Sequence, residues 1–131
     1  MSDDLLPSTA RIDLLIVDDD PDLRELLRFY FANLGYSIAT AATGREAIRL
    51  CEQSKPRLIL LDVKLPGQGG HEVYQAIREM PDSGNTSIIF LTQHNSRDER
   101  LTGLGLGADD FIGKPFDVQE LRLRVERRLG K

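Results

Sequence analysis

At 131 residues, 40% of them hydrophobic and 29% charged, the chain is long enough to bury one core and too short to divide comfortably into two. A net charge of −4 repels phosphate backbones, which argues against direct nucleic-acid binding by this domain. No run approaches the roughly 20 apolar residues of a membrane-spanning helix, and MSDDLLPSTA lacks the basic start and apolar stretch of a secretory signal, so a cytoplasmic chain is expected. Residues 1–10 read as a polar leader and 11–131 as one domain.

The first strand candidate is Asp13 to Val17, an apolar run that stops at three consecutive acids, Asp18, Asp19 and Asp20. Asp20 before Pro21 reads as a helix cap rather than a ligand. The helix behind it carries Leu23, Leu26, Leu27, Phe31 and Leu34 on one face, with Gly35 as a stop. Ser37 to Ala41 is the second strand; Thr43 and Glu46 at capping-box spacing open a helix that buries Ala47, Ile48 and Cys51. Cys51, the single cysteine, reads as a small buried hydrophobe rather than a reactive thiol. Leu58 to Leu61 is the third strand, followed by a shorter helix around His71 to Met80. Ser87 to Leu91 is the fourth. The helix from Ser96, with Glu99 three residues on, holds Gly103, Gly105 and Gly107, each weakening it by about 1 kcal/mol relative to alanine, and should be the least stable. Asp110 to Ile112 is the fifth strand, and the helix behind Asp117, with Glu120 in place, turns Val118, Leu121 and Val125 inward. Its outer Arg122, Arg124, Arg127 and Arg128 read as a solvated face that suits the negative helix end, with a partner surface as the alternative.

Five βα units with right-handed crossovers close into a doubly wound parallel α/β sheet with helices on both faces, and such sheets bind ligands at the carboxyl ends of their strands. Those ends carry Asp18, Asp19 and Asp20, then Asp62, Thr92, and Lys114 with Pro115. Singly, each has an ordinary explanation in turn chemistry or strand propensity. Together, carboxylates about 4 Å apart repel by roughly 4 kcal/mol at an effective dielectric near 20, so the cluster calls for a counter-charge. Hard oxygen donors favour Mg²⁺ or Mn²⁺ over zinc. His71 and His94 lie apart without ligand-spaced partners and are expected at the surface.

The motifs IVDDDP, LLDVKLPGQGG, FLT and GADDFIGKPF, in this order between Arg11 and Leu129, resemble the receiver domain of two-component response regulators. The resemblance implies a single (βα)5 flavodoxin-like domain with strand order 2-1-3-4-5. It implies Asp62 as phosphoacceptor, taking phosphorus from a histidine kinase or histidine phosphotransfer protein. Asp19, Asp62 and the Lys64 backbone carbonyl would hold Mg²⁺, Asp18 would act mainly through a metal-bound water, and Lys114 and Thr92 would contact phosphoryl oxygens. The Lys114–Pro115 bond is typically cis in the family. Thr92 and Phe111 would form the switch: the hydroxyl moves toward the phosphoryl and the aromatic swings inward, re-facing the fourth helix, fifth strand and fifth helix toward a downstream protein or a fused output domain, or into a homodimer. The protein so read is a phosphoacceptor switch, not an enzyme, that assists only its own phosphorylation and dephosphorylation.

Departures from the family pattern are Gly69, where many relatives carry Asp and a loop alone should change, and Gln93, whose bulk crowds access to the phosphoryl. Lys64, Gln93 and His94 would tune the phosphorylated lifetime, with Lys64 pairing with the acids when metal is absent. Three alternatives remain at this stage. A haloacid dehalogenase-type Mg²⁺ phosphatase places its paired aspartates after the first strand, whereas the isolated Asp62 follows the third. A flavodoxin-like cofactor binder needs a phosphate-cradling first loop that three acids would repel. A receiver-like docking module would not be phosphorylated at all.

Overall fold

The structure, a computed structural model, describes residues 11–92 and 108–130. The leader, the helix expected from Ser96 with its three glycines, and Gln93 and His94 lie outside the described residues. The apolar runs form strands whose side chains leave the sheet alternately on two buried faces. β1 (Leu14–Val17), β2 (Ile38–Ala41), β3 (Leu58–Asp62), β4 (Ser87–Thr92) and β5 (Asp110–Gly113) pair in parallel in the order β2-β1-β3-β4-β5. Leu14 sits opposite both Ile38 and Leu58, and Leu58 opposite Ser87, so four strands start level; β5 starts two residues later, opposite Ile89, and all five end within two residues of one level. This register brings the residues after each strand to one rim.

Helices cover both faces. Leu15, Val17, Ile59, Leu61, Ile88 and Phe90 meet Ala47 and Cys51 of α2 (Gly44–Ser54) and Val73, Tyr74 and Ile77 of α3 (Gly70–Arg78). The alternate residues Leu14, Ile16, Leu58, Leu60, Ile89 and Leu91 meet Leu27 and Phe31 of α1 (Pro21–Ala32) and Leu121, Val125 and Leu129 of the C-terminal helix, α4 (Val118–Leu129). No helix among the described residues is long and apolar enough to cross a membrane.

The caps follow the sequence signals. Asp20 accepts the Asp22 and Leu23 N–H groups, Thr43 accepts that of Glu46, and Asp117 accepts that of Gln119. The return arm at α2 differs from a capping box, because Glu46 reaches past Thr43 to the Ala42 N–H at 2.7 Å. Gly35, at φ +97°, takes the left-handed turn that ends the α1 region.

Three expectations are corrected. Leu26 is 58% exposed rather than buried, because it lies a quarter-turn off the Leu27–Phe31 stripe. α3 stops at Arg78, short of Met80. The arginine face of α4 is not merely solvated: Arg124 binds Asp110 at 2.7 Å and Glu120 at 2.8 Å, Arg122 binds Glu126 at 2.8 Å, and Arg128 donates to the Asp109 carbonyl at 2.7 Å. Arg124 and Arg128 thus fasten α4 to β5 and the residue before it.

Gly69 turns out to be the N-cap of α3, so its departure from Asp removes a cap acceptor and not only a loop residue; the Glu72 carboxylate takes its N–H instead. Gly70 presses that helix onto the end of β3: a Cβ there would lie 2.3 Å from the Asp62 carbonyl and 2.7 Å from Val63 Cα. Gly70→Ala is therefore expected to lower unfolding free energy by about 1–3 kcal/mol in urea titration. Gly69→Ser, at a site with room for a side chain, is expected to raise it by a few tenths.

Candidate functional site

β1 delivers Asp18 as its continuation. The Asp18 N–H still bonds Ala41 in the strand ladder at 3.1 Å, which draws the side chain under the rim to 0% exposure. Its Oδ1 accepts the Asp20 N–H at 2.9 Å, its Oδ2 lies 2.6 Å from Lys114 Nζ, and its carbonyl accepts from Arg24 at 2.8 Å. Asp19 next to it is exposed. β3 delivers Asp62, 5% exposed, with Oδ1 accepting the Lys64 N–H at 3.3 Å and Oδ2 3.6 Å from Lys114 Nζ. Asp18, Asp19 and Asp62 each present a carboxylate oxygen, all within 4.8 Å of one another.

Lys114 follows β5. Its N–H bonds the Thr92 carbonyl at 2.6 Å, and the Lys114–Pro115 bond is cis, as the resemblance implied. Thr92, at the end of β4 and opposite Gly113, is buried on the same rim, one residue past the partner of Asp62. A cavity of about 280 Å³ is lined by Asp18, Asp19, Asp20, Leu23, Asp62, Lys64 and Lys114. A larger hollow of about 320 Å³ beside Phe116, Glu120 and Arg124 shares Lys114 with this cavity but is lined by none of Asp18, Asp19 and Asp62.

The charges are unbalanced. Burial, then the neighbouring Asp18 charge, pushes the Asp62 carboxyl up to about 6, although Lys114 and the Lys64 N–H pull it down. Burial disfavours the Lys114 ammonium, but its hydrogen bond to Asp18 and the charge of Asp62 outweigh that and hold its pKa above the usual lysine value. One ammonium facing three carboxylates leaves negative charge uncompensated. Clustered hard oxygens, one fully buried and one resisting ionisation through burial and the charge of Asp18, fit a divalent cation.

The other expectations divide. Among the described residues it is Lys114, not Lys64, whose ammonium pairs with the acids; Lys64 is exposed at the cavity mouth, because its side chain leaves the end of β3 toward solvent. His71 is half-buried rather than freely at the surface. Close seating of α3 at Gly70 carries it against the sheet, where its ring meets Phe90 edge-on at 5.2 Å and its Nε2 is enclosed without a hydrogen-bond partner. Phe111 lies inward, 5.8 Å from Phe90 between ring centroids. Cys51 is buried, and burial pushes its thiol up to about 12. Two contributors were missed from sequence, Gly70 and Arg24. The paired glycines of LPGQGG were the signal for the first; an arginine one turn into a helix gives none.

The chain belongs to the response regulator receiver domain family, whose sequence pattern matches residues 14–126. It is 40% identical over 118 residues to the protein named probable transcriptional regulator ycf27 of Guillardia theta, covering 90% of this chain and 45% of that one. The chain thus spans about half the length of several curated relatives it matches. Among solved structures it resembles the chemotaxis protein CheY4 of Vibrio cholerae, with a TM-score of 0.84 at 30% identity, covering 90% of this chain and 98% of that one. It also resembles the receiver domain of the sensor histidine kinase PA1611 of Pseudomonas aeruginosa, which has a magnesium ion in its active-site cleft, with a TM-score of 0.83 at 30% identity, covering 93% and 100%. The architecture is that of the flavodoxin-like receiver fold, and receiver domains are phosphorylation-based signalling switches.

Because folding raises the Asp62 pKa above its unfolded value, ionising that carboxyl costs folded-state stability as pH rises from about 4 toward about 6, and the cost persists above. Metal-free Asp62→Asn is therefore expected to be more stable than wild type at pH 7 by roughly 1–3 kcal/mol, with the difference shrinking below pH 5, as read by urea unfolding across pH.

Proposed function

We propose that this domain receives a phosphoryl group on Asp62 from a histidine kinase or histidine phosphotransfer protein, with Mg²⁺ as cofactor and Mn²⁺ as a substitute, in the cytoplasm. The observation that carries the reading is the convergence of Asp18, Asp19 and Asp62 within 4.8 Å of one another, beside the Lys114 ammonium. Asp19, Asp62 and the Lys64 carbonyl would hold the cation, with Asp18 acting through a bound water. When bound, the cation would neutralise the acids and the charge developing on the phosphoryl oxygens.

The chain's own residues supply the rest. Asp62 offers one carboxylate oxygen to phosphorus while Lys114, already 3.6 Å from that side chain, takes a phosphoryl oxygen and spreads its charge. Thr92, buried on the same rim, supplies a hydroxyl to a second oxygen, and its movement together with Phe111 changes the face formed by β5 and α4. That face would meet a target protein, an output domain or a second copy. Lys64 at the cavity mouth, with Gln93 and His94, would set how long the phosphoryl group survives, so Lys64→Ala is expected to change the phosphorylated lifetime.

With Mg²⁺ and a small phosphodonor, the wild-type chain is expected to gain one phosphoryl group by mass spectrometry, and Asp62→Asn none. Equal labelling of Asp62→Asn would overturn the assignment. Lys114→Met removes the ammonium that competes for the same carboxylates, so calorimetry is expected to show Mg²⁺ binding tightened by about 10-fold, with slower phosphorylation.

A further inference from the structure

Asp18 has four polar atoms, and each has a partner. The N–H goes to the Ala41 carbonyl at 3.1 Å, Oδ1 to the Asp20 N–H at 2.9 Å and Oδ2 to Lys114 at 2.6 Å. The fourth, the carbonyl oxygen, accepts from Nη1 of Arg24 at 2.8 Å. Arg24 is half-buried, one turn into α1, near the end where the helix dipole is positive and a cation is locally disfavoured. Among the described residues no carboxylate pairs with it; the Asp18 carbonyl is its hydrogen-bond partner.

A peptide group is planar, so holding the Asp18 carbonyl oxygen also fixes the N–H and Cα of Asp19. Asp19 has an exposed side chain and needs such a constraint, whereas Asp18 and Asp62 are held by burial. We propose that Arg24 is a positioning residue: by gripping the Asp18 carbonyl it sets the Asp18–Asp19 peptide, and with it the direction from which Asp19 presents its carboxylate to Asp18 and Asp62. The inference rests on reading those three acids as a cation site, and it also has a consequence independent of metal. Without the grip, the loop loses its fixed geometry and the Asp20 N–H loses its hold on Asp18 Oδ1.

Coulomb's law and positioning give opposite signs. Removing a positive charge near three carboxylates would, by charge alone, tighten Mg²⁺ binding; loss of positioning weakens it. The test titrates Mg²⁺ calorimetrically into the full chain and follows Asp20 amide hydrogen exchange in the metal-free protein, for wild type, Arg24→Ala, Arg24→Lys and the exposed control Arg28→Ala. Arg24→Ala is expected to bind Mg²⁺ about 10-fold more weakly and to exchange the Asp20 amide about 10-fold faster. Arg24→Lys, which keeps a charged donor, should recover most of both, and Arg28→Ala should change neither.

An unchanged Asp20 amide in Arg24→Ala, or tighter Mg²⁺ binding by that variant, overturns the inference. If wild type itself binds no Mg²⁺ while Arg24→Ala still frees the Asp20 amide, the cation reading fails and the positioning of the loop stands. Should Arg24→Ala not fold, Arg24→Met, which keeps an apolar stem and has no donor, carries the same comparison.

Discussion

The structure depends on the burial of like charges at one end of a parallel sheet. Asp18 and Asp62 are drawn below the surface by strands that need their backbone bonds, and Lys114 is the ammonium that makes this tolerable. Its 2.6 Å contact with Asp18 ties the end of β1 to the turn after β5, two strands that are not neighbours in the sheet. The bond from the Lys114 N–H to Thr92 brings β4 into the same tie. Four of the five strand ends, those of β1, β3, β4 and β5, therefore meet through a single side chain and its backbone. Any ligand that takes the carboxylates away from Lys114 acts on all of them together.

The frame around this site is built for close approach. Gly70 lets α3 rest on the last peptide of β3, and the same seating carries His71 against Phe90. Phe90 in turn touches Tyr74 and Phe111, so the rings continue from α3 across β4 to β5. On the far side, Arg124 and Arg128 bind α4 to Asp110 and the Asp109 carbonyl. β5 is thus gripped by aromatic packing on one face and by guanidinium groups on the other, which places Phe111 where packing and hydrogen bonding both bear on it.

Much of this was legible in the sequence for definite reasons. Apolar runs ended by polar residues gave the strands to within a residue or two, because a strand buried on both faces admits little else. Asp20, Thr43 and Asp117 were readable as caps because short polar side chains before a helical pattern have few other uses. The convergence of Asp18, Asp62, Thr92 and Lys114 followed from strand ends that lie within two residues of one level. What could not be read depended on geometry between elements. The exposure of Leu26 turns on the rotation of α1 about its axis, and the ion pairs of Arg124 turn on the distance of α4 from β5. The choice of Lys114 over Lys64 depends on which way a side chain leaves a strand end, and periodicity does not record it.

Cys51 sits inside the layer between the sheet and α2, with its sulfur proton held so firmly that thiolate is scarce at neutral pH. Alkylating reagents need the thiolate, so in the native fold this side chain should be almost silent toward them. It is also the chain's single cysteine, which makes its modification a site-specific clock for how often the α2 layer lifts away from the sheet.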